Sequence, residues 1–132
     1  MDIVYKSDIV PTAEQVIELY NQAGLPRPTQ DPARIKKMFE NSNLVVTAWH
    51  DNQLAGVART ITDWVWCSYL ADLAVSPAYK KSGIGKKLIE LTREIIGEQS
   101  MILLLSVPTA MDYYPKVGFI KEERGFIIHR VK

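Results

Sequence analysis

The chain has 132 residues, of which 47% are hydrophobic and 23% charged. This length and balance are typical of one folded domain, so we expect a single domain over residues 1–132 rather than a disordered chain or a two-domain enzyme. Because the formal net charge is only +1, we expect no general attraction of nucleic acid, and any anion site must be local.

The first half of the chain predicts a strand, two helices and a β-hairpin. Residues 2–6 read as a short strand. A helix follows Pro11 and ends at Gly24, and a second helix begins after Asp31, a residue type that caps helix N-termini. Two strand-like segments flank a polar turn between residues 44 and 62, which predicts a hairpin.

The second half predicts four further strands and two helices. Residues 64–75 read as the third strand of a meander, and helical spacing of apolar residues resumes after Gly83. The apolar run 101–107 is predicted as a strand covered on both faces. A short helix is expected over 108–118, followed by two strands within 119–132. The fold class is therefore mixed α/β, with six to seven mostly antiparallel strands and about four helices.

The absence of certain sequence features predicts where the protein is located and whether it binds a metal. No apolar run approaches the roughly 20 residues that span a bilayer, and the start MDIVYKSD has no basic segment followed by an apolar one. We therefore expect a cytoplasmic protein that does not contact membranes. Cys67 is the only cysteine and is predicted to be a small buried residue, and two histidines are too few for a zinc cluster.

The predicted helix after Gly83 carries its charges in an unusual order. Basic residues surround its start, at Lys80, Lys81, Lys86 and Lys87, and acidic residues follow, at Glu90, Glu94 and Glu98. This order opposes the helix dipole, which favours acids at the N-terminus. A bound phosphate or pyrophosphate would resolve the conflict, and Gly83 and Gly85 would let it approach the backbone. Charge alone leaves a second interpretation open, a solvated helix start whose glycines only form a turn.

Two common phosphate-binding motifs are excluded here. A P-loop requires glycine five residues before Gly85 and Ser or Thr after the lysine, but Lys80 and Lys87 occupy these positions. The dinucleotide fingerprint requires a third glycine where Leu88 stands. We therefore expect neither a P-loop ATP site nor an NAD site.

The pattern Lys80-x-x-Gly83-x-Gly85, after a strand ending at Val75, resembles the acyl-CoA signature R/Q-x-x-G-x-G/A of the GNAT superfamily of N-acetyltransferases. Residues 113–119, YYPKVGF, resemble that family's F/Y-Y-x-K-x-G-F element, and the element order matches over essentially the whole chain. Lys80 departs from the usual Arg or Gln. Within the superfamily, the chain is similar to small bacterial acetyltransferases and to plant serotonin N-acetyltransferase-like proteins.

This resemblance implies an acetyl-CoA-dependent N-acetyltransferase whose primary amine acceptor attacks the thioester directly, without a metal. The acceptor would be a small molecule or a protein or peptide amine. The implied cofactor-binding residues are Leu73, Ala74, Val75, Lys80, Lys81, Ser82, Gly83, Ile84, Gly85 and Lys86. An alternative on the same fold is a catalytically silent acyl-CoA-binding or regulatory module. A homodimer is also expected as an option, because similar proteins commonly pair through their final strands.

Two residues are predicted to be catalytic. Tyr114 aligns with the family tyrosine that protonates the departing thiolate, although it could instead be a core aromatic residue. An alkylammonium with a pKa near ~10.4 must lose a proton before it can attack. Asp72 and Asp63 are candidate bases, and Asp72 is preferred because it interrupts an apolar strand; the alternative is a hydrogen-bonded structural carboxylate. Trp64 and Trp66 would share a strand face, as an acceptor wall or as core or dimer contacts.

Overall fold

A computed structural model gives the structure of residues 2–132. These residues form β1 (Val4–Lys6), α1 (Ala13–Ala23), α2 (Pro32–Glu40), β2 (Leu44–His50), β3 (Gln53–Thr62), β4 (Cys67–Val75), α3 (Ile84–Ile96) and β5 (Met101–Leu103). Short 3₁₀ turns cover Pro77–Tyr79, Pro108–Ala110 and Tyr114–Val117. The predicted first strand, two helices, hairpin and helix after Gly83 are all confirmed.

The strands form one sheet in the order β1-β2-β3-β4-β5. Neighbours are antiparallel as far as β4, which is followed by the parallel pair β4 and β5. This parallel pairing extends only from Cys67↔Met101 to Tyr69↔Leu103. Because β4 continues to Val75, the two strands separate after Tyr69, and the last residues of β4 have a free edge on that side.

Helices cover the sheet on both faces and create two apolar clusters. Helix α3 packs Ile84 and Leu88 on one face, and α1 and α2 pack Val16 and Ile35 on the other. Gly56 in β3 allows the close approach of α3, since a Cβ there would lie 2.9 Å from Cγ2 of Ile84. The helices therefore pack against both faces of the sheet along β2, β3 and β4.

The C-terminal part differs from the prediction. Among the described residues the sheet has five strands and the chain has three α-helices, because residues 119–132 form no strand and 108–118 contain only 3₁₀ turns. The apolar run 101–107 is covered on one face only, with Met101 57% and Leu105 59% exposed. The physical reason is that strand character in the sequence requires a neighbouring edge, and the C-terminal residues pair with none in residues 2–132.

The segment before β4 also differs. Trp64 and Trp66 lie in a turn rather than on one strand face, and Trp64 has a left-handed φ of 73°. Cys67 is exposed, so the prediction that it is buried is wrong. Asp63 stabilises the turn, because its carboxylate accepts the backbone N–H groups of Val65, Trp66 and Cys67. Over the part of the chain that is described, no helix has the length and apolar character needed to cross a membrane.

Candidate functional site

The separation of β4 from the chain after β5 opens a cavity of about 200 Å³. Three segments line it: the second half of β4, the connection after α1, and the chain that follows β5. The lining residues are Ala23, Gly24, Leu25, Arg27, Leu70, Ala71, Leu73, Ala74, Val75, Leu104, Leu105, Val107, Thr109, Ala110 and Tyr114. The cavity is thus walled mainly by apolar side chains, with the free edge of β4 on one side.

Several residues predicted from the sequence meet at this cavity. Leu73, Ala74 and Val75 line it from β4, and Tyr114 lines it from the opposite wall. Residues 76–79 then connect β4 to the lysine-rich loop through a 3₁₀ turn that the Ser76 side chain caps. The predicted anion-binding loop therefore follows directly from the strand that lines the cavity.

The start of α3 offers N–H groups without a side-chain cap. Its N-cap residue Gly83 has φ 71°, and no side chain hydrogen-bonds to the cap. The first turn contains no acidic residue, and Lys80, Lys81 and Lys86 are exposed. Lys81 itself adopts a left-handed φ of 73°. This helix start combines free backbone donors with surrounding cations, which is the chemistry that binds phosphate groups.

Gly85 connects this helix start with the tyrosines. A Cβ on Gly85 would lie 2.8 Å from the hydroxyl oxygen of Tyr113, so a larger residue would force that ring to move. Tyr113 and Phe119 both make edge contacts with the Tyr114 ring, at centroid distances of 5.3 and 5.6 Å. Gly85 and the tyrosine element therefore belong to one packed unit.

Tyr114 remains a neutral phenol in this environment. Burial raises its pKa, neighbouring Tyr113 raises it further, and the positive charge of Arg27 opposes this increase without reversing it. A half-buried phenol that lines the cavity can donate a hydrogen bond to a group inside it. Tyr114 is thus available as a proton donor at neutral pH.

Asp72 lies outside the cavity lining, in a buried polar cluster. Its Oδ1 accepts a hydrogen bond from Nε of Arg27 at 2.6 Å. Its Oδ2 accepts from Nε of Arg59 and from the hydroxyl of Tyr20, both at 2.7 Å. Burial by itself would raise the pKa of Asp72, but the hydrogen bond and charge of Arg59, the charge of Arg27 and the hydrogen bond of Tyr20 together lower it.

A carboxylate so fully bonded is a poor proton acceptor, which favours the structural alternative for Asp72. None of the three partners, Arg27, Arg59 and Tyr20, was predicted from the sequence to contact Asp72. Arg59 could have been found, because the meander places it opposite Asp72 in the register. Arg27 had no comparable signal, since it lies in a loop between two prolines.

The carboxylate of Asp63 is also engaged in hydrogen bonds. Its Oδ1 accepts the backbone N–H groups of Val65, Trp66 and Cys67 at 2.8 to 3.0 Å. These bonds, that of Cys67 first, lower the pKa of Asp63 to about 2. Asp63 therefore shapes the turn before β4 and is absent from the cavity lining.

Comparisons with known proteins agree with this geometry. The family model described as an acetyltransferase (GNAT) domain matches residues 12–129. An uncharacterized N-acetyltransferase of Prochlorococcus marinus is 31% identical over 98 residues, which are 70% of this chain and 54% of that protein. The GCN5-related N-acetyltransferase 1, chloroplastic, of Arabidopsis thaliana is 24% identical over 116 residues, or 85% of this chain and 58% of that protein. The chain thus spans about half the length of these curated relatives.

Solved structures are similar over almost the whole chain. A Staphylococcus aureus protein of unknown function, described as a probable acetyltransferase, superposes with a TM-score of 0.83 at 25% identity, covering 98% of this chain and all of that one. A GNAT family acetyltransferase of Streptococcus pneumoniae gives a TM-score of 0.81 at 20% identity, covering 99% of this chain and 100% of that one. The second likeness concerns the fold alone.

Proposed function

Because this chain belongs to the GNAT family of acetyltransferases, we propose that it transfers the acetyl group of acetyl-CoA to a primary amine. The main support for this proposal is that two binding features lie next to each other along the chain. The free edge of β4 lines a cavity, and the uncapped helix start with its lysines follows immediately in the chain. One extended ligand with a diphosphate at one end and a thioester at the other fits both features.

Two groups of residues would hold acetyl-CoA. The β4 edge at Leu73, Ala74 and Val75 has no strand neighbour toward β5 within residues 2–132, so its backbone groups can bond an extended pantetheine arm as another strand would. The loop and helix start from Lys80 to Lys86 would bind the diphosphate through N–H groups and charge. When bound, acetyl-CoA supplies an activated acyl group, and we propose that the transfer uses no metal.

The reaction forms a carbon–nitrogen bond and breaks the carbon–sulfur bond of the thioester. A backbone N–H of β4, for which Val75 is the candidate, would polarise the acyl carbonyl as the amine attacks. The phenol of Tyr114 would donate a hydrogen bond to the leaving sulfur as negative charge develops there. Its raised pKa keeps the phenol protonated, so that the hydrogen bond is available during this step. The attacking nitrogen loses its second proton as the amide forms, and the departing sulfur takes up one proton, so that CoA leaves as the thiol.

The acceptor must lose a proton, and we propose that water takes it. Asp72 as the general base stays a prediction, but its two oxygens are already bonded to Arg27, Arg59 and Tyr20, which disfavours that role. With water as the acceptor, kcat/KM for the amine should rise with pH until the pKa of the acceptor ammonium is reached. A base of the protein would instead give a plateau at its own lower pKa.

The proposed activity is tested by thiol release from acetyl-CoA with a panel of primary amines. We expect turnover in the wild type and a fall in kcat of about 10²-fold or more in Tyr114→Phe, with unchanged affinity for CoA. Tyr5→Phe is the matched control, since Tyr5 lies on the distant strand β1 and should leave kcat unchanged. Binding of acetyl-CoA without thiol release from any amine would instead support the silent acyl-CoA-binding module.

We further propose that the protein is a homodimer in which residues 119–132 of one copy cover β5 of the other. Strand β5 has one neighbour among the described residues. Beside this edge, Ile61, Tyr69 and Leu103 are register partners on three adjacent strands, and all three are exposed. In the C-terminal segment, Phe126 and Ile128 are 100% and 98% exposed. Two large apolar surfaces in one chain support mutual burial between copies.

Sedimentation of the full chain tests the dimer. We expect a dimer in the wild type and a monomer in Ile128→Asp, because a carboxylate would be buried against the apolar sheet face. Gln30→Asp adds the same charge at an exposed loop position and should remain dimeric. A wild type that sediments as a monomer at micromolar concentration would contradict the proposal.

The domain assignment and location are also proposals. We propose that residues 1–132 act as one acetyltransferase domain, supported by the single five-stranded sheet of the described residues. The cytoplasm remains the proposed location, and the name of the Arabidopsis relative gives the chloroplast as the setting of that protein. Cell fractionation distinguishes these compartments.

A further inference from the structure

Arg27 is the one residue with a full charge among those that line the cavity of the described chain. Every other lining side chain is uncharged at neutral pH, and no carboxylate lines the cavity. An acceptor with a second ammonium group would therefore find no opposite charge in the cavity wall, but a cation. This charge distribution concerns the acceptor directly, because the acceptor must approach the acyl group within this space.

The guanidinium of Arg27 is held in place but is not fully used. Its Nε donates to Asp72 at 2.6 Å, its Nη1 to the carbonyl of Pro26 at 2.8 Å, and its Nη2 to the carbonyl of Ala71 at 2.9 Å. Ala71 is left without a ladder partner where the register of β3 and β4 shifts, so its carbonyl is available. Three of five N–H groups are thus bonded, and two remain without a partner in residues 2–132.

The cluster around Arg27 also has an excess of positive charge. Arg27 and Arg59 together carry two positive charges, whereas Asp72 contributes one negative charge. Tyr20 contributes none, because burial and the charge of Asp72 raise its pKa above the ordinary value. Arg59 is nearly buried, but the Arg27 side chain retains 23% exposure. The unbalanced charge is therefore accessible at Arg27.

We propose that Arg27 binds a carboxylate of the acceptor, so that the substrates are primary amines that also carry a carboxylate, as amino acids do. The two free N–H groups of a guanidinium that is already oriented can bond a carboxylate at little entropic cost. The same charge repels diamines and polyamines. Arg27 is thus a specificity-determining residue, and this inference rests on the proposed acetyl transfer.

Three acceptors of similar size test the inference on the full chain: an amino acid, its amide, and a diamine of matched length. With acetyl-CoA, we expect the wild type to show kcat/KM for the amino acid about 10- to 100-fold above that for its amide, with the diamine lowest. In Arg27→Gln, KM for the amino acid should rise by a similar factor, while KM for acetyl-CoA and for the amide stay unchanged. Arg27→Lys should recover part of the preference.

The outcomes separate this inference from the proposed function. If the wild type uses the amide or the diamine as well as the amino acid, Arg27 does not select a carboxylate, although acetyl transfer still stands. If Arg27→Gln raises KM for all acceptors equally, its role is structural and the inference is overturned. If acetyl-CoA binds and no acceptor releases thiol, the proposed function fails and the inference fails with it. Should Arg27→Gln not fold, the wild-type preference among the three acceptors decides.

Discussion

Two cationic regions of this molecule are built in opposite ways. Around Asp72, two guanidinium groups are fixed by short hydrogen bonds in a buried cluster between α1 and the sheet. At the start of α3, lysines are exposed around a helix end that no side chain caps. In the first region, the charged groups are bonded mostly to one another. In the second region, the backbone N–H groups at the helix start have no side-chain partner among the described residues.

The difference indicates which region depends on a ligand. A buried carboxylate must be paired or it destabilises the fold, so the Asp72 cluster contributes to stability with no ligand bound. Free N–H groups at a solvated helix start destabilise the fold little, because water can bond to them. The loop from Lys80 to Lys86 can therefore stay folded without a bound anion. Loss of the Asp72 carboxylate should therefore change stability, and substitutions at the start of α3 should change CoA binding.

The largest effect is expected for Asp72→Asn. Removing the carboxylate leaves two guanidinium groups in the cluster without a counter-charge, which should lower the free energy of unfolding by about 3–5 kcal/mol. Urea denaturation measures this loss. Asp8→Asn, an exposed substitution, is the matched control and should change stability little. Equal stability of Asp72→Asn and wild type would show that the cluster is not structural.

The fall in the free energy of unfolding at acidic pH should depend on the carboxyl group of Asp72. The pKa of Asp72 is lowered in the folded state, whereas an unfolded aspartate titrates near ~3.9. Its contribution is therefore present above about pH 4 and is lost as the pH falls toward the folded pKa. The stability difference between wild type and Asp72→Asn should shrink between pH 5 and pH 2. A difference that stays constant over this range would contradict the lowered pKa.

At the helix start, Gly83→Asp should lower affinity for CoA at least about tenfold more than Gly83→Asn does. Both residues tolerate the left-handed φ of 71° observed at this position. The two variants differ mainly by one negative charge next to the proposed diphosphate site, where like charges repel. Calorimetric titration with CoA measures the two dissociation constants. Equal affinities of the two variants would contradict the proposal that the diphosphate of CoA binds at this loop.

The smallest effect is expected for Lys80→Gln. An exposed lysine contributes at most about 1 kcal/mol to an ion pair, so CoA affinity should fall no more than about fivefold. Added salt should weaken wild-type binding more than binding by the variant, because the charge interaction is screened. Lys36→Gln on α2 is the control and should leave both affinity and salt dependence unchanged. A loss far above fivefold would indicate that Lys80 is partly desolvated when CoA binds.

Local patterns in the sequence predicted the three α-helices and the first strands of the sheet. The N-cap at Asp31, the apolar stripe after Gly83 and the hairpin between residues 44 and 62 each depend on neighbours in the chain, and each is observed. The prediction was wrong for the final strands, because a strand forms only against another edge. Residues 119–132 have strand-like sequence but no edge within the described chain.

The candidate site, like the fold, could be predicted from the sequence only where its residues belong to a local motif. The two motifs named Tyr114, Gly83 and Gly85 as candidate site residues, since motif residues lie at fixed spacings. The close approach of Gly85 to Tyr113 was seen only in the structure. Arg27 could not be predicted, because it reaches Asp72 across 45 residues of sequence and lies in a loop without periodicity. The same contact changed the interpretation of Asp72, which by sequence could be a base or a structural carboxylate.

By itself, the sequence determined the three α-helices α1, α2 and α3, the meander and the glycine-rich start of α3, because these follow from short-range hydrogen bonding and from side-chain periodicity. Tertiary structure alone decided that β4 and β5 separate to form a cavity, that Asp72 is paired with two arginines, and that Arg27 is the charged residue among those that line this cavity in the described chain. These features depend on groups distant in the chain, whose burial and pairing are set only when the helices pack on the sheet.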